Sequence, residues 1–217
     1  MDDKECNNFV IRENINHVVY GKELRNNKPH SKEGIEEEKD KECNYKYRYE
    51  LTRSYRSGSK LLCFIMFNPS TSNSEESDNT TKRCLSIAKN WGYDGIALYN
   101  LYAIRSKDKK AVERRIKTNK KHAIAEIVGK ENKEVLDHAI KCKQYDKIVC
   151  AWGNHPHSED FDTRALNILK RIGIGRLRIL GISKKKMPNH PLGVSTEITE
   201  KRSESLAIQY IERITEK

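Results

Sequence analysis

The sequence predicts an α/β domain built on a central, mainly parallel sheet of four strands with helices on both faces. Three observations carry that expectation. Apolar runs at residues 61–67, 95–101, 147–152 and 176–181 alternate with stretches of helical periodicity. The first run, Leu61-Leu62-Cys63-Phe64-Ile65-Met66-Phe67, is continuously apolar, as a strand covered on both faces must be. Each run also gives way to a polar signature, which fits the ligand-binding rim of an open parallel sheet.

Taken in order, residues 1–44 read as a peripheral N-terminal segment and 45–217 as the domain. Residues 26–29 and 32–43 are dense in charge and almost free of apolar side chains. Residues 45–51 alternate aromatic and charged side chains with the period of a half-exposed edge strand. With the turn signal Ser57-Gly58-Ser59, they make residues 45–56 and 60–67 an expected N-terminal edge hairpin. Residues 79–91 read as a helix with Cys84, Leu85, Ile87 and Ala88 inward, closed by Gly92. A long helical pattern follows over 120–142, another over 163–172, and a last one from Ser195 onward.

The chain has 217 residues, 36% hydrophobic and 34% charged, enough for one domain with a very polar surface. No apolar stretch reaches the roughly 20 residues that span a bilayer, and Met1-Asp2-Asp3-Lys4-Glu5-Cys6 lacks the marks of a signal peptide. A cytosolic, monomeric protein is expected. The six cysteines form no C-x-x-C pair and read as free thiols, with neither a zinc knuckle nor a disulfide framework.

Lys and Arg exceed Asp and Glu by 42 to 31, a net charge of +11. Residues 1–60 are nearly balanced, with 13 basic and 12 acidic side chains, so the excess lies in the domain. It concentrates in 105–121, with nine basic and two acidic residues, and in 164–186, with eight basic and none acidic. Such blocks are either the footprint of a phosphate backbone or solvated lysine-rich surface.

If the four runs are parallel strands, Asn68, Asn100, Asn154 and His190 meet on one rim. Asn68 precedes Pro69, which ends the ladder and holds Asn68 extended. It either forms a strand-ending turn or holds a water. Asn100 interrupts Ile96-Ala97-Leu98-Tyr99-Asn100-Leu101-Tyr102. A buried amide there either bonds nearby backbone or reads a donor–acceptor edge such as a nucleobase. His190 sits between Pro188 and Pro191, which stiffen its loop, and an imidazole so held can stabilise a developing anion. His155 and His157 lie in a polar loop, where one or both read as solvated, the alternative being a metal site with Asp160. Asn154 and His155 read as pocket wall.

Four strings, Met66-Phe67-Asn68-Pro69-Ser70-Thr71, Asn90-Trp91-Gly92-Tyr93, Ala151-Trp152-Gly153 and Asn189-His190-Pro191-Leu192, resemble an uncharacterised bacterial and phage family, domain of unknown function 1643. The resemblance covers roughly residues 45–200, with Ser77-Asp78-Asn79-Thr80 standing where the family has Asp-Pro-Thr. The order of the motifs also resembles the uracil-DNA glycosylase superfamily. That likeness implies a three-layer fold and an enzyme that hydrolyses the N-glycosidic bond of a damaged or modified base flipped from duplex DNA. No lysine is singled out as a Schiff-base nucleophile, so a monofunctional mechanism is expected. No cofactor and no metal are expected, and the phage-linked family context allows a role in defence against phage DNA.

On the same likeness Asn68 holds the attacking water, His190 stabilises the departing base and Asn100 reads its edge. Phe67 and Tyr102, with Tyr93 as a further candidate, supply stacking surface. The expected DNA contacts are Ser70, Arg105, Lys107, Lys109, Lys110, Lys184, Lys185, Lys186, Asn189 and Ser195. Two other readings stand beside this one: an N-glycosidic hydrolase of free nucleosides or nucleotides, and a nucleic-acid-binding module without catalysis.

Overall fold

A computed structural model describes residues 10–14, 47–54, 60–70, 78–106, 108–141, 145–155 and 158–215. The strands among them are β1 (Val10–Asn14), β2 (Glu50–Ser54), β3 (Leu61–Met66), β4 (Gly95–Asn100), β5 (Ile148–Cys150) and β6 (Leu177–Ile179). The helices are α1 (Asn79–Asn90), α2 (Lys109–Lys117), α3 (Lys121–Val128), α4 (Asn132–Lys141), α5 (Glu159–Ile172) and α6 (Glu200–Thr215). The strands form one mixed sheet in the order β1-β2-β4-β3-β5-β6. Its parallel part, β4-β3-β5-β6, comprises the four apolar runs.

The sheet is wider than expected, because β1 and β2 add an antiparallel extension beyond β4. The expected edge hairpin does not form. β2 pairs with β4 (Leu51↔Leu98), not with β3. Both edges of β3 are already taken, by β4 (Leu62↔Ile96) and by β5 (Cys63↔Ile148). A strand apolar on both faces gains most at the centre of the sheet, which leaves β2 the far side of β4. The turn at 57–59 lies outside the described residues.

Alternation along the strands divides the core in two. Leu62, Phe64 and Met66 join Ile96, Leu98 and the inward stripe of α1 on one face. Cys63, Ile65 and Phe67 join Tyr99, Ile148, Cys150 and the inner sides of α2 to α6 on the other. Each such side chain fully removed from water contributes roughly 1.5–3 kcal/mol. Local chemistry sets the helix starts: Asp78 accepts from Thr81 N (2.7 Å), Asp108 from Ala111 N (3.0 Å) and Ser158 from Phe161 N (3.2 Å). The helical pattern expected unbroken over 120–142 divides into α3 and α4 at Gly129. Its φ of +82° suits glycine, and a Cβ there would meet the Tyr49 ring at 3.0 Å. Among the described residues no helix is long and apolar enough to cross a membrane.

Candidate functional site

From β3 the chain crosses to β4 on one side, then returns to place β5 on the other side of β3. That reversal makes the carboxyl end of β3 a topological switch point, where open α/β sheets bind ligands. A pocket of about 120 Å³ lies there, lined by Asn68 after β3, Asn100 at the end of β4, Trp152 and His155 after β5, and His190. Phe67, Ser70, Arg48, Lys109 and the start of α1 complete the wall. An apolar cavity of about 150 Å³ holds a benzene molecule, so this pocket suits a single-ring group.

Asn68 is anchored by its amino group, with Nδ2 donating to Pro69 O (3.0 Å) and Ser106 O (3.2 Å). Its Oδ1 keeps an acceptor without a partner among the described residues. Asn100 is 3% exposed, and its buried Oδ1 likewise has no hydrogen-bond partner. Its main-chain carbonyl accepts from Asn132 Nδ2 (3.1 Å), which fixes the backbone while the side-chain Oδ1 remains uncommitted among the described residues. Ser70 Oγ donates to Asp78 Oδ2 (2.6 Å), tying the loop after β3 to the cap of α1.

His190 is delivered by the chain after β6. Ile182 and Pro188 form an antiparallel bridge, Asn189 N donates to Gly181 O (2.9 Å), and Gly153 N donates to Pro188 O (2.9 Å). Leu192 N donates to His190 Nδ1 (3.3 Å). With that nitrogen accepting, the neutral ring carries its proton on Nε2. Burial and the charge of Lys109 push the imidazole pKa down to about 4, against a smaller opposing effect of Asp78. At neutral pH His190 is therefore an uncharged donor.

His155 is not solvated. It is 2% exposed and lies flat against Phe67, ring centroids 3.4 Å apart and planes 9° apart. Nε2 lies 2.6 Å from Trp152 O, and Nδ1 lies 3.0 Å from Glu113 Oε1 on α2. Nε2–H donates to the carbonyl, and Nδ1 faces the Glu113 carboxyl group. Burial, reinforced by Lys109, drives the imidazole pKa down to about 3. Sequence spacing gives no hint of this pair, because Glu113 comes from a helix 42 positions away. Arg48 and Trp152 are further wall residues beyond those assigned to the site from sequence. Arg48 sits in the aromatic–charged alternation and is 4% exposed.

Tyr102 is buried beside the pocket without lining it, its hydroxyl donating to Asp160 Oδ2 (2.8 Å). Tyr93 precedes β4 and so stands at the opposite rim, donating to Asp146 (2.8 Å). Among the expected DNA contacts, Lys109, Lys110, Lys184, Lys185, Lys186 and Ser195 are exposed, and Asn189 is half-buried against Gly181. Arg105 is 5% exposed, so it is buried structure and not a free surface cation. Lys107 and His157 lie outside the described residues. Among the described residues no group of three His, Cys, Asp or Glu side chains has the geometry to hold a metal.

The family model for a protein of unknown function (DUF1643) matches residues 48–192. The chain belongs to that family. The matched segment spans all four parallel strands and every pocket residue named above, so the DUF1643 core and the pocket coincide. No curated protein and no solved structure matches this chain.

Proposed function

We propose that this DUF1643 protein is a DNA glycosylase-like hydrolase, cleaving the N-glycosidic bond of a damaged or modified base held in the switch-point pocket. One observation carries the reading: three side chains at one pocket each keep a single uncommitted group of the required kind. Asn68 Oδ1 accepts and can hold a water. Asn100 Oδ1 is a buried acceptor for an N–H on the edge of a base. His190 Nε2–H is a neutral donor for the departing ring.

The chemistry follows from those groups. The bond between C1′ and the base nitrogen breaks, its electron pair leaves with the base, and the sugar becomes an oxocarbenium-like cation. His190 Nε2–H stabilises the base anion. The water on Asn68 adds to C1′. An amide is too weak a base to take the proton, so the proton passes through solvent to the departing base. The product is an abasic sugar and a neutral base.

The test is abasic-site formation on duplexes carrying a panel of modified and unmodified bases, read as strand scission after mild alkali. Wild type should cut at one class of base, and Asn68→Ala and His190→Ala should each reduce the rate about 10²-fold or more. Because His190 titrates near pH 4, the rate should show no step from its ionisation between pH 5 and 8. Turnover of free nucleosides without DNA cleavage would favour the small-molecule hydrolase. DNA binding without scission anywhere in the panel would favour a non-catalytic module.

A further inference from the structure

Many lysines cover this chain, and sequence singles out none of them as a nucleophile. The fold does. Lys109 opens α2 and lines the pocket together with Asn68, His155 and His190. The residue as a whole is exposed, yet its Nζ lies over the Phe67 ring, 6.0 Å from the centroid, and donates to Asn154 O at 3.4 Å. No carboxylate among the described residues lies within ion-pair distance of it. Glu113, one turn along the helix, is committed to His155, and Asp108 caps α2 and pairs with Arg114. An amine facing a pocket without a counter-ion, at the positive end of a helix, is disfavoured as an ammonium.

Resting on the hydrolase reading, we propose that Lys109 is an amine nucleophile that captures the aldehyde of the abasic sugar as an imine. The neutral Nζ attacks C1′ of the ring-opened sugar, forming a C–N bond while the carbonyl pair moves to oxygen, which takes a proton. Loss of water then leaves a protonated imine, and addition of water reverses the step. No oxidant or cofactor enters. Burial lowers the pKa of Lys109, with Glu113 opposing it more weakly, which raises the share of free amine.

The experiment is borohydride trapping on an oligonucleotide with one preformed aldehydic abasic site, so that base removal is bypassed. Reduction of the imine gives a stable secondary amine, seen as a protein–DNA band in denaturing gels. Wild type should trap. Lys109→Gln and Lys109→Arg should lose at least nine-tenths of the band, and Lys147→Gln, at the opposite rim, should keep it. Lys109→Arg keeps a cationic side chain, and its affinity for the same oligonucleotide is measured without borohydride so that bands are compared at equal occupancy. Absence of a wild-type band, or a full band from Lys109→Arg, overturns the proposal. Base release is scored separately on base-containing DNA without borohydride. Release with no trapping overturns the lysine step alone, and trapping with no release overturns the hydrolase reading alone.

Discussion

Asn100 keeps a buried carbonyl oxygen that no partner among the described residues satisfies. Stranding a polar atom away from water costs about 1–3 kcal/mol, and a leucine of similar size would fill the same space without that penalty. Asn100→Leu should therefore raise the thermal midpoint by several degrees while abolishing cleavage of the preferred base. Differential scanning calorimetry and the alkali-scission assay check the two halves. A fall in stability would show that the amide is a structural member of the core, and the edge-reading role would lapse. Asn100 was legible in sequence because an amide that breaks an apolar run must have a reason to be there. His155 was not, since its burial depends on stacking against Phe67 and on its contact with Glu113, both distant in the chain.

At the scale of elements, the loops after β5 and β6 act as one unit. Gly153 has φ +79°, and a Cβ there would meet His190 Cβ at 3.0 Å. The backbone conformation and the close approach both require glycine. Gly153→Ala should destabilise the fold by about 1–3 kcal/mol and displace His190. The loss of cleavage should match that of His190→Ala, and combining the two substitutions should add little further. Additive effects would mean that the two loops act independently. The four parallel strands and most of the helices follow from apolar runs, caps and periodicity that the chain carries locally. The partner of β2 does not, because pairing is settled by which edges remain open once β3 lies between β4 and β5. The site had the same limit. Strand ends identified Asn68, Asn100 and His190, whereas Arg48 and the Glu113–His155 pair needed the packed fold.

Across the whole molecule, the two basic blocks that look alike in sequence separate once folded. In 164–186 the arginines serve the structure. Arg164 pairs with Asp160 (3.0 Å) and Arg171 with Asp137 (2.6 Å), while Arg176 donates to Ile140 O (2.6 Å). Arg178, 2% exposed, bridges Glu200 (3.0 Å) and Glu204 (3.1 Å) at the start of α6. The exposed lysines Lys184, Lys185 and Lys186 instead cap the small hairpin that carries His190 to the rim. Net charge alone therefore overstates the surface offered to phosphates. Replacing all three lysines by glutamine should leave the thermal midpoint within a degree or two, because exposed charges contribute little to stability. It should flatten the dependence of log K for duplex DNA on log salt by up to about three phosphate contacts. Arg178→Gln should do the reverse. It leaves the two glutamates without their shared cation and lowers the thermal midpoint by several degrees, while the salt slope stays as in wild type. Fluorescence anisotropy across a salt series, run beside thermal melts, separates the two classes. Equal salt slopes for wild type and the triple lysine variant would remove the β6 hairpin from the DNA-facing surface.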